Sequence, residues 1–201
     1  MSSPIAQQSH LNGFLKRAVD IVGALVGLAF AFPLICIFAF LVRRESRGPV
    51  FFSQTRVGRG GRPFRMWKLR TMKNGAERED DLHQSTTSDD PRLLRIGRLM
   101  RRLNVDEVPQ FWNVLRGDMS LVGPRPERPL HAAALQQQIP HYSERGAAKP
   151  GITGWAQIHG LRGATSLKAR VRCDLFYLHH WSLAWDLDIL IRTLFLHDQA
   201  F

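Results

Sequence analysis

Two adjacent carboxylates, Asp106 and Glu107, follow the basic stretch Arg101-Arg102-Leu103-Asn104-Val105 and precede Val108-Pro109-Gln110. A carboxylate beside arginines stays ionised at neutral pH. An ionised aspartate can attack a phosphorus centre, as in enzymes that form aspartyl-phosphate intermediates. A neighbouring glutamate can hold Mg2+, which takes one or two carboxylates together with substrate phosphate oxygens. Such a cation would stabilise charge as it shifts to a leaving group. The same residues also have an ordinary structural use. Acids at a helix start complement the positive end of its dipole, and Asn104 with Glu107 has capping-box spacing. The residue types alone leave both readings open.

Two further basic patterns bear on that choice. In Trp67-Lys68-Leu69-Arg70-Thr71-Met72 the basic residues alternate with bulky ones, so Lys68 and Arg70 share one face of a strand. That face either contacts phosphate or is merely solvated. In Gly117-Asp118-Met119-Ser120-Leu121-Val122-Gly123-Pro124-Arg125-Pro126, prolines on both sides of Arg125 restrict where its guanidinium points, which suits a phosphate grip or a rigid surface loop. Other catalytic schemes lack their signatures. The sequence has no G-x-x-x-x-G-K-[ST] phosphate loop, no G-x-G-x-x-G in a strand–helix context and no G-x-S-x-G elbow. His179 and His180 are neighbours that face different ways on a helix, a poor metal site.

A formal charge of +11 over 201 residues calls for an anionic partner. Nucleic acid, an anionic lipid surface or a phosphorylated substrate all meet that requirement. Cys36 and Cys173 are too far apart in sequence to resemble a disulfide framework or a zinc site, which points to a reducing compartment.

The element that must place this chemistry is the uncharged run Ile21–Val42, flanked by Lys16 and Arg17 before it and Arg43, Arg44 and Arg47 after it. As a straight helix it spans about 33 Å, enough to cross a bilayer. A crossing helix usually has its Lys/Arg excess on one side only. Charge at both ends, with the helix breaker Pro33 between, favours a segment that enters the membrane and turns back. A kinked spanning helix is the plainer alternative. Ala29-Phe30-Ala31 imitates a signal-peptide cleavage site, but the apolar run continues past it into an arginine cluster.

Residues 1–13 read as a flexible N-terminus, 14–47 as a helix-break-helix membrane segment and 48–201 as the catalytic domain. Within that domain, Val50-Phe51-Phe52 and Phe64-Arg65-Met66-Trp67 read as strands around a Gly- and Arg-rich turn. Residues 74–90 read as a solvated loop. Asp90-Pro91 opens a helix with Asp90 as cap, and a second helix runs from Asn104 to Arg116, ended by Gly117. Gly117 to Pro129 is too rich in Gly and Pro for regular structure. Residues 131–147 are helical in part, Lys149-Pro150-Gly151 marks a turn, and a helix from Thr165 to Leu178 carries Leu167, Val171, Leu175 and Leu178 on one side. The Trp- and Leu-rich tail from Trp181 to Leu196 suits a core helix, an interfacial helix or a contact between copies of the chain. The fold class is α/β, mostly helical with a small β-hairpin, with a re-entrant membrane helix packed on a cytoplasmic domain that carries amphipathic interfacial helices.

In combination these residues resemble the bacterial sugar transferases, the monotopic phosphoglycosyl transferases. The resemblance rests on Asp106-Glu107, on Phe111-x-Asn113-Val114-Leu115-x-Gly117, on Asp118 to Pro126, on Lys16-Arg17-x-x-Asp20 and on Gly48-Pro49-Val50. Lys68-x-Arg70-Thr71-Met72 and Lys149-Pro150-Gly151-Ile152-Thr153-Gly154-Trp155-Ala156-Gln157 complete it, in the family's order. It implies that a UDP-sugar binds with Mg2+ and that Asp106 attacks the phosphorus attached to the sugar, releasing UMP. Undecaprenyl phosphate then captures the phosphosugar-aspartate. It further implies Glu107 as the metal ligand, Arg101 and Arg125 as phosphate contacts, and Lys68, Arg70, Arg145 and Asp174 as further substrate-binding positions. Both ends of the membrane helix would be cytoplasmic, at the bacterial inner membrane. One departure is Phe32-Pro33 where many members have Ser-Pro, since a serine hydroxyl could satisfy backbone groups freed by the proline. The chain has the look of a minimal catalytic version of larger members. The competing readings are a membrane-tethered nucleic-acid binder, motivated by charge and the arginines of 92–102, and a non-catalytic membrane scaffold.

Overall fold

A computed structural model of the chain describes residues 10–76, 90–163 and 165–195. Most of residues 1–13 and of the loop expected at 74–90 lie outside the described residues. The long apolar run forms α1 (His10–Glu45), whose helical hydrogen bonding continues through Pro33 without dividing it into two elements. Proline removes one donor from the ladder while the bonds on either side persist. By length and composition α1 can cross a membrane. Asp20, Ala24, Ala31, Phe38 and Val42 are buried along one face, while Val22, Leu25, Phe30, Phe32 and Phe40 are exposed on the rest. One stripe therefore packs on protein and the remaining apolar surface faces outward.

The first half of α1 docks through charged side chains. The Arg17 guanidinium donates to the carbonyls of Val114 (2.6 Å) and Leu115 (2.7 Å). Asp20 Oδ1 accepts from Ser120 Oγ and from Leu121 N, both at 2.9 Å. Lys16 Nζ reaches Asp186 Oδ2 at 2.6 Å and the Val122 carbonyl at 3.2 Å. Close approach there favours glycine at Gly27, where a Cβ would fall 2.6 Å from the Phe111 ring. At the other end Glu45 accepts from Arg95 N (2.6 Å) and Ile96 N (3.0 Å).

After α1 the chain forms an antiparallel hairpin of β1 (Phe51–Val57) and β2 (Pro63–Leu69), with Phe52 opposite Lys68 and Gln54 opposite Met66. Both strands run longer than their apolar residues alone indicated. The helix expected at Asp90-Pro91 begins later, as α2 (Arg95–Arg102). Asp90 binds Arg92 instead of capping, and Leu93 bridges to Met72 with Leu94 N donating to the Thr71 carbonyl, so the chain extends β2's edge first. The second expected helix also differs. Val105–Glu107 is a single 3-10 turn and α3 covers only Gln110–Arg116, ended as expected by Gly117 at φ 89°. Asn104 sits at φ 55° with no capping bond from its side chain, so the capping box is not formed.

The segment from Gly117 to Pro129 holds regular structure after all. Ser120–Val122 is β3, parallel to β4 (Gly151–Thr153), with Ser120 paired to Gly151 and Val122 to Thr153. Three glycines permit the crossing: a Cβ at Gly123, Gly151 or Gly154 would collide with backbone atoms at 2.1–2.4 Å. Between the strands come α4 (Pro129–Gln138) and a 3-10 stretch at Tyr142–Ala147. The short α5 (Trp155–Ile158), α6 (Leu167–His179) and α7 (Leu183–Phe195) follow. Val171 and Leu178 of α6 are buried, whereas Leu167 at its start is exposed. On α7, Asp186 and Ile189 face inward and Leu187, Ile191, Leu194 and Phe195 outward. One core gathers Val114, Met119, Leu121, Tyr177 and Ile189. Another gathers Phe38, Val42, Leu69, Met100 and Val105, directly beneath the turn that carries Asp106. The described chain is thus mostly helical with two small two-stranded sheets.

Candidate active site

The site is built where α2, the 3-10 turn and the hairpin meet. Val105 is buried in the second core, and this pins the turn so that Asp106, 6% exposed, is turned inward. Glu107 beside it takes both neighbouring cations. Its Oε1 accepts from Lys68 Nζ at 2.7 Å and Arg125 Nη2 at 2.5 Å, and its Oε2 from Arg125 Nη1 at 3.2 Å. Arg125 therefore makes the fork-shaped, two-bond contact that a planar guanidinium favours. Lys68 Nζ stands 4.0 Å from Asp106 Oδ2. A lysine on β2, the acids of the turn and an arginine beyond β3 thus converge from three separate segments.

Of the other expected positions, Arg101 lines the same cavity and donates from Nε to Thr71 Oγ1 at 3.0 Å. Arg70 also lines it, but its guanidinium is turned to the end of α1: it donates to the Pro49 carbonyl (2.6 Å), Ser46 Oγ (3.0 Å) and the Ser46 carbonyl (2.8 Å). Arg145 and Asp174 lie behind the cavity as a buried pair at 2.8 Å. Arg145 also donates to Tyr142 Oη (3.0 Å) and to the carbonyl of Arg125 (2.9 Å). The pair thereby holds the loop that presents Arg125.

Electrostatics separate the two acids. Burial drives the pKa of Asp106 up to about 6, against the pull of Lys68 and with help from the charge of Glu107. Burial acts on Glu107 in the same sense, but Arg125 and Lys68 outweigh it and leave that carboxyl well below the usual range. The expectation that basic neighbours keep both acids strongly ionised therefore applies to Glu107. For Asp106 desolvation wins, because Glu107 has already engaged the nearest cations. Two carboxylates with separated pKa values in one cavity are an arrangement suited to distinct chemical roles.

The cavity measures about 460 Å3. Its walls also carry residues with no obvious local signal in the sequence: Gln54 and Arg56 from β1, and Arg162 from the turn before α6. Arg162 is fixed by its loop, because Arg170 on α6 donates to the Gly163 carbonyl (2.9 Å) and to Glu127 Oε1 (3.1 Å). Only the alternation Phe52-x-Gln54-x-Arg56, polar residues at inward positions of a strand, could have pointed to the first two. Among the described residues no group of three or more His, Cys, Asp and Glu could hold a metal alone. Mg2+ needs only one or two carboxylates when phosphate oxygens complete its shell, and Asp106 and Glu107 are the acids lining the cavity that could supply them, Glu107 by exchanging part of its contact with Lys68 and Arg125.

The profile of the family described as bacterial sugar transferase matches residues 11–197. The chain belongs to the bacterial sugar transferase family. Its relatives within that family include the UDP-glucose:undecaprenyl-phosphate glucose-1-phosphate transferase of Escherichia coli K12, 44% identical over 93% of this chain and 41% of the relative. The protein of the same description from Caulobacter vibrioides is 46% identical over 89% of this chain and 67% of the relative. The UDP-N-acetylgalactosamine-undecaprenyl-phosphate N-acetylgalactosaminephosphotransferase of Aeromonas hydrophila is 40% identical over 92% of this chain and 44% of the relative. This sugar transferase chain thus spans under half the length of two of these three relatives. The matched region takes in α1, the hairpin, the Asp106-Glu107 turn and the Arg125 loop, so every element that lines the cavity lies within it.

Proposed function

We propose that this chain is a membrane-associated phosphoglycosyl transferase. It moves a sugar-1-phosphate from a UDP-sugar to undecaprenyl phosphate, as the first step of a polysaccharide or glycoconjugate pathway. The observation that carries this reading is a buried Asp106 beside a Glu107 already locked by Lys68 and Arg125, in a cavity rich in cations. The names of the relatives supply the substrate classes.

In the first step a carboxylate oxygen of Asp106 attacks the phosphorus that bears the sugar. The bond from that phosphorus to the bridging oxygen breaks, and UMP leaves with its electron pair. A phosphosugar-aspartate remains. An oxygen of undecaprenyl phosphate then attacks the same phosphorus, the aspartate carboxylate departs, and undecaprenyl diphosphate sugar is formed. Lys68 neutralises charge beside the attacking oxygen, and Arg125, Arg101 and Arg162 hold phosphate. Glu107 is the proposed Mg2+ ligand; bound there, the ion supplies charge neutralisation to the diphosphate.

The membrane arrangement is part of the proposal. Both ends of α1 dock on one body, through Lys16, Arg17 and Asp20 at the start and Glu45 and Ser46 at the end. These contacts support a helix whose two ends share the cytoplasmic face of the inner membrane, with the exposed Phe32 ring beside Pro33 offered to lipid. A nucleic-acid or scaffold role has no comparable support, since paired carboxylates in the basic cavity repel a phosphate backbone.

The test is Mg2+-dependent release of UMP from UDP-glucose or UDP-N-acetylgalactosamine with undecaprenyl phosphate in detergent. Asp106→Asn abolishes it while the melting profile is retained, and rapid quenching with donor alone yields a phosphosugar adduct on Asp106. Full turnover by the Asn variant would remove Asp106 as nucleophile.

A further inference from the structure

The inward face of β1 presents Phe52, Gln54 and Arg56 to the cavity, with Lys68 opposite Phe52 across the hairpin. Gln54 and Arg56 are joined: Arg56 Nη2 donates to Gln54 Oε1 at 2.6 Å. Arg56 Nη1 donates to the carbonyl of Pro126, next to Arg125, at 3.2 Å. The pair then runs out of acceptors. Gln54 Nε2 and Arg56 Nε are both buried with no hydrogen-bond partner, although Gln54 is only 5% exposed. Buried donors are almost always paired, and leaving one unpaired costs free energy. Among the described residues no carboxylate lies within ion-pair distance of Arg56. Its guanidinium is also unfavourably placed as a cation. Burial first, and then the charge of Arg125, hold its pKa down to about 10.

What is missing is an anionic group with several acceptor oxygens, arriving from the cavity that both side chains line. We propose that Gln54 and Arg56 form a phosphate-binding subsite of the active cavity, which the free protein holds with unmet donors and which a substrate phosphate completes. The two donors are shielded from solvent, so a small rotation of the joined side chains toward the cavity accompanies binding. The Pro126 carbonyl holds Arg56 close to Arg125. The inference rests on the transferase reading for the identity of the substrates, but the chemistry of the subsite, neutral donor plus unpaired cation, does not.

The discriminating variant is Gln54→Glu. It gives Arg56 a carboxylate partner of the same shape, satisfies the cation internally, removes the amide donor and repels an incoming anion. If the pair only braces the Pro126 loop, a stronger brace leaves binding and turnover unchanged or improved. If it is a phosphate subsite, the melting temperature holds or rises while phosphate binding weakens about tenfold or more, the loss expected for one charge-assisted hydrogen bond. Binding of UDP is measured by calorimetry on the full chain in detergent, and KM for undecaprenyl phosphate by UMP release. Weakened UDP binding assigns the subsite to the donor diphosphate. A raised acceptor KM with UDP binding intact assigns it to the lipid phosphate. Neither change, in a folded variant, overturns the proposal. Gln54→Met, which removes the amide without adding charge, serves if the Glu variant does not fold, and the same loss is expected. Since UDP binding is read directly, a wild-type chain that binds UDP but releases no UMP would defeat the transferase reading and leave this test standing.

Discussion

Lys68 is the cation that most opposes the effect of burial on Asp106, and its removal should shift the pH dependence of the proposed first chemical step. Its ammonium stands 4.0 Å from Asp106 Oδ2 and 2.7 Å from Glu107 Oε1. Two unit charges about 4 Å apart interact by about 4 kcal/mol at an effective dielectric near 20, or about three pH units at 1.36 kcal/mol per unit. Because Glu107 holds the same ammonium more closely, the share felt by Asp106 is smaller, and Lys68→Met should raise its pKa by about one unit. The sign follows from the attraction: a cation favours the ionised acid, so its loss favours the protonated one. The acid limb of the reaction, expected near pH 6 in the wild type because burial holds Asp106 at about 6, moves toward neutrality. At pH 6.5 the ionised fraction falls from about three quarters to about one quarter, a threefold loss on top of any pH-independent defect. The assay is the single-turnover UMP burst with donor alone, since a phosphate monoester acceptor has its own ionisation near pH ~6. Glu107→Gln provides the opposite sign. It removes a neighbouring negative charge and frees Lys68 and Arg125 to face Asp106, so the limb moves to lower pH even as the rate falls. Limbs that stay in place in both variants, or move in the same direction, would refute the electrostatic account of Asp106.

Three other perturbations probe the frame around the site. Arg145→Met leaves Asp174 buried without its cation and should cost about 3–5 kcal/mol, read as a lowered thermal midpoint in detergent; an unchanged midpoint would show that the pair does not brace the Arg125 loop. Gly97→Ala places a Cβ 2.1 Å from the Thr71 carbonyl. It should destabilise by about 1–3 kcal/mol and depress UMP release, because α2 must lift off Thr71, whose hydroxyl orients Arg101. Arg70→Lys keeps the charge but cannot span Pro49 and both Ser46 acceptors, so proteolysis between α1 and β1 should accelerate while donor affinity is nearly unchanged. A large loss of donor affinity instead would make Arg70 a substrate contact.

Much of this architecture is written locally. The hairpin follows from alternation around a glycine turn, α3 stops where Gly117 permits a left-handed residue, and α6 follows its apolar spacing. The errors came where distant partners outbid local preference. Asp90-Pro91 has the form of a helix start, yet Leu93 and Leu94 bond to Met72 and Thr71, just beyond β2, and delay the helix to Arg95. Asn104 and Glu107 have capping-box spacing, but Glu107 finds two cations that lie far from it in sequence. The β3–β4 pairing joins two three-residue strands some thirty residues apart, and only absent side chains at Gly123, Gly151 and Gly154 make it feasible. The cavity residues Gln54, Arg56 and Arg162 belong to the same class, because what they face is set by tertiary packing.

The two ends of α1 do one further thing together. Glu45 supplies the acceptors for the first amides of α2, and Arg17 supplies the donors for the last carbonyls of α3. These are the two helices that enclose the Asp106-Glu107 turn, so the turn is gripped from both sides by a single helix. Trimming α1 to gain solubility would therefore release the Asp106-Glu107 turn at both of its flanking helices, and with it the activity proposed above.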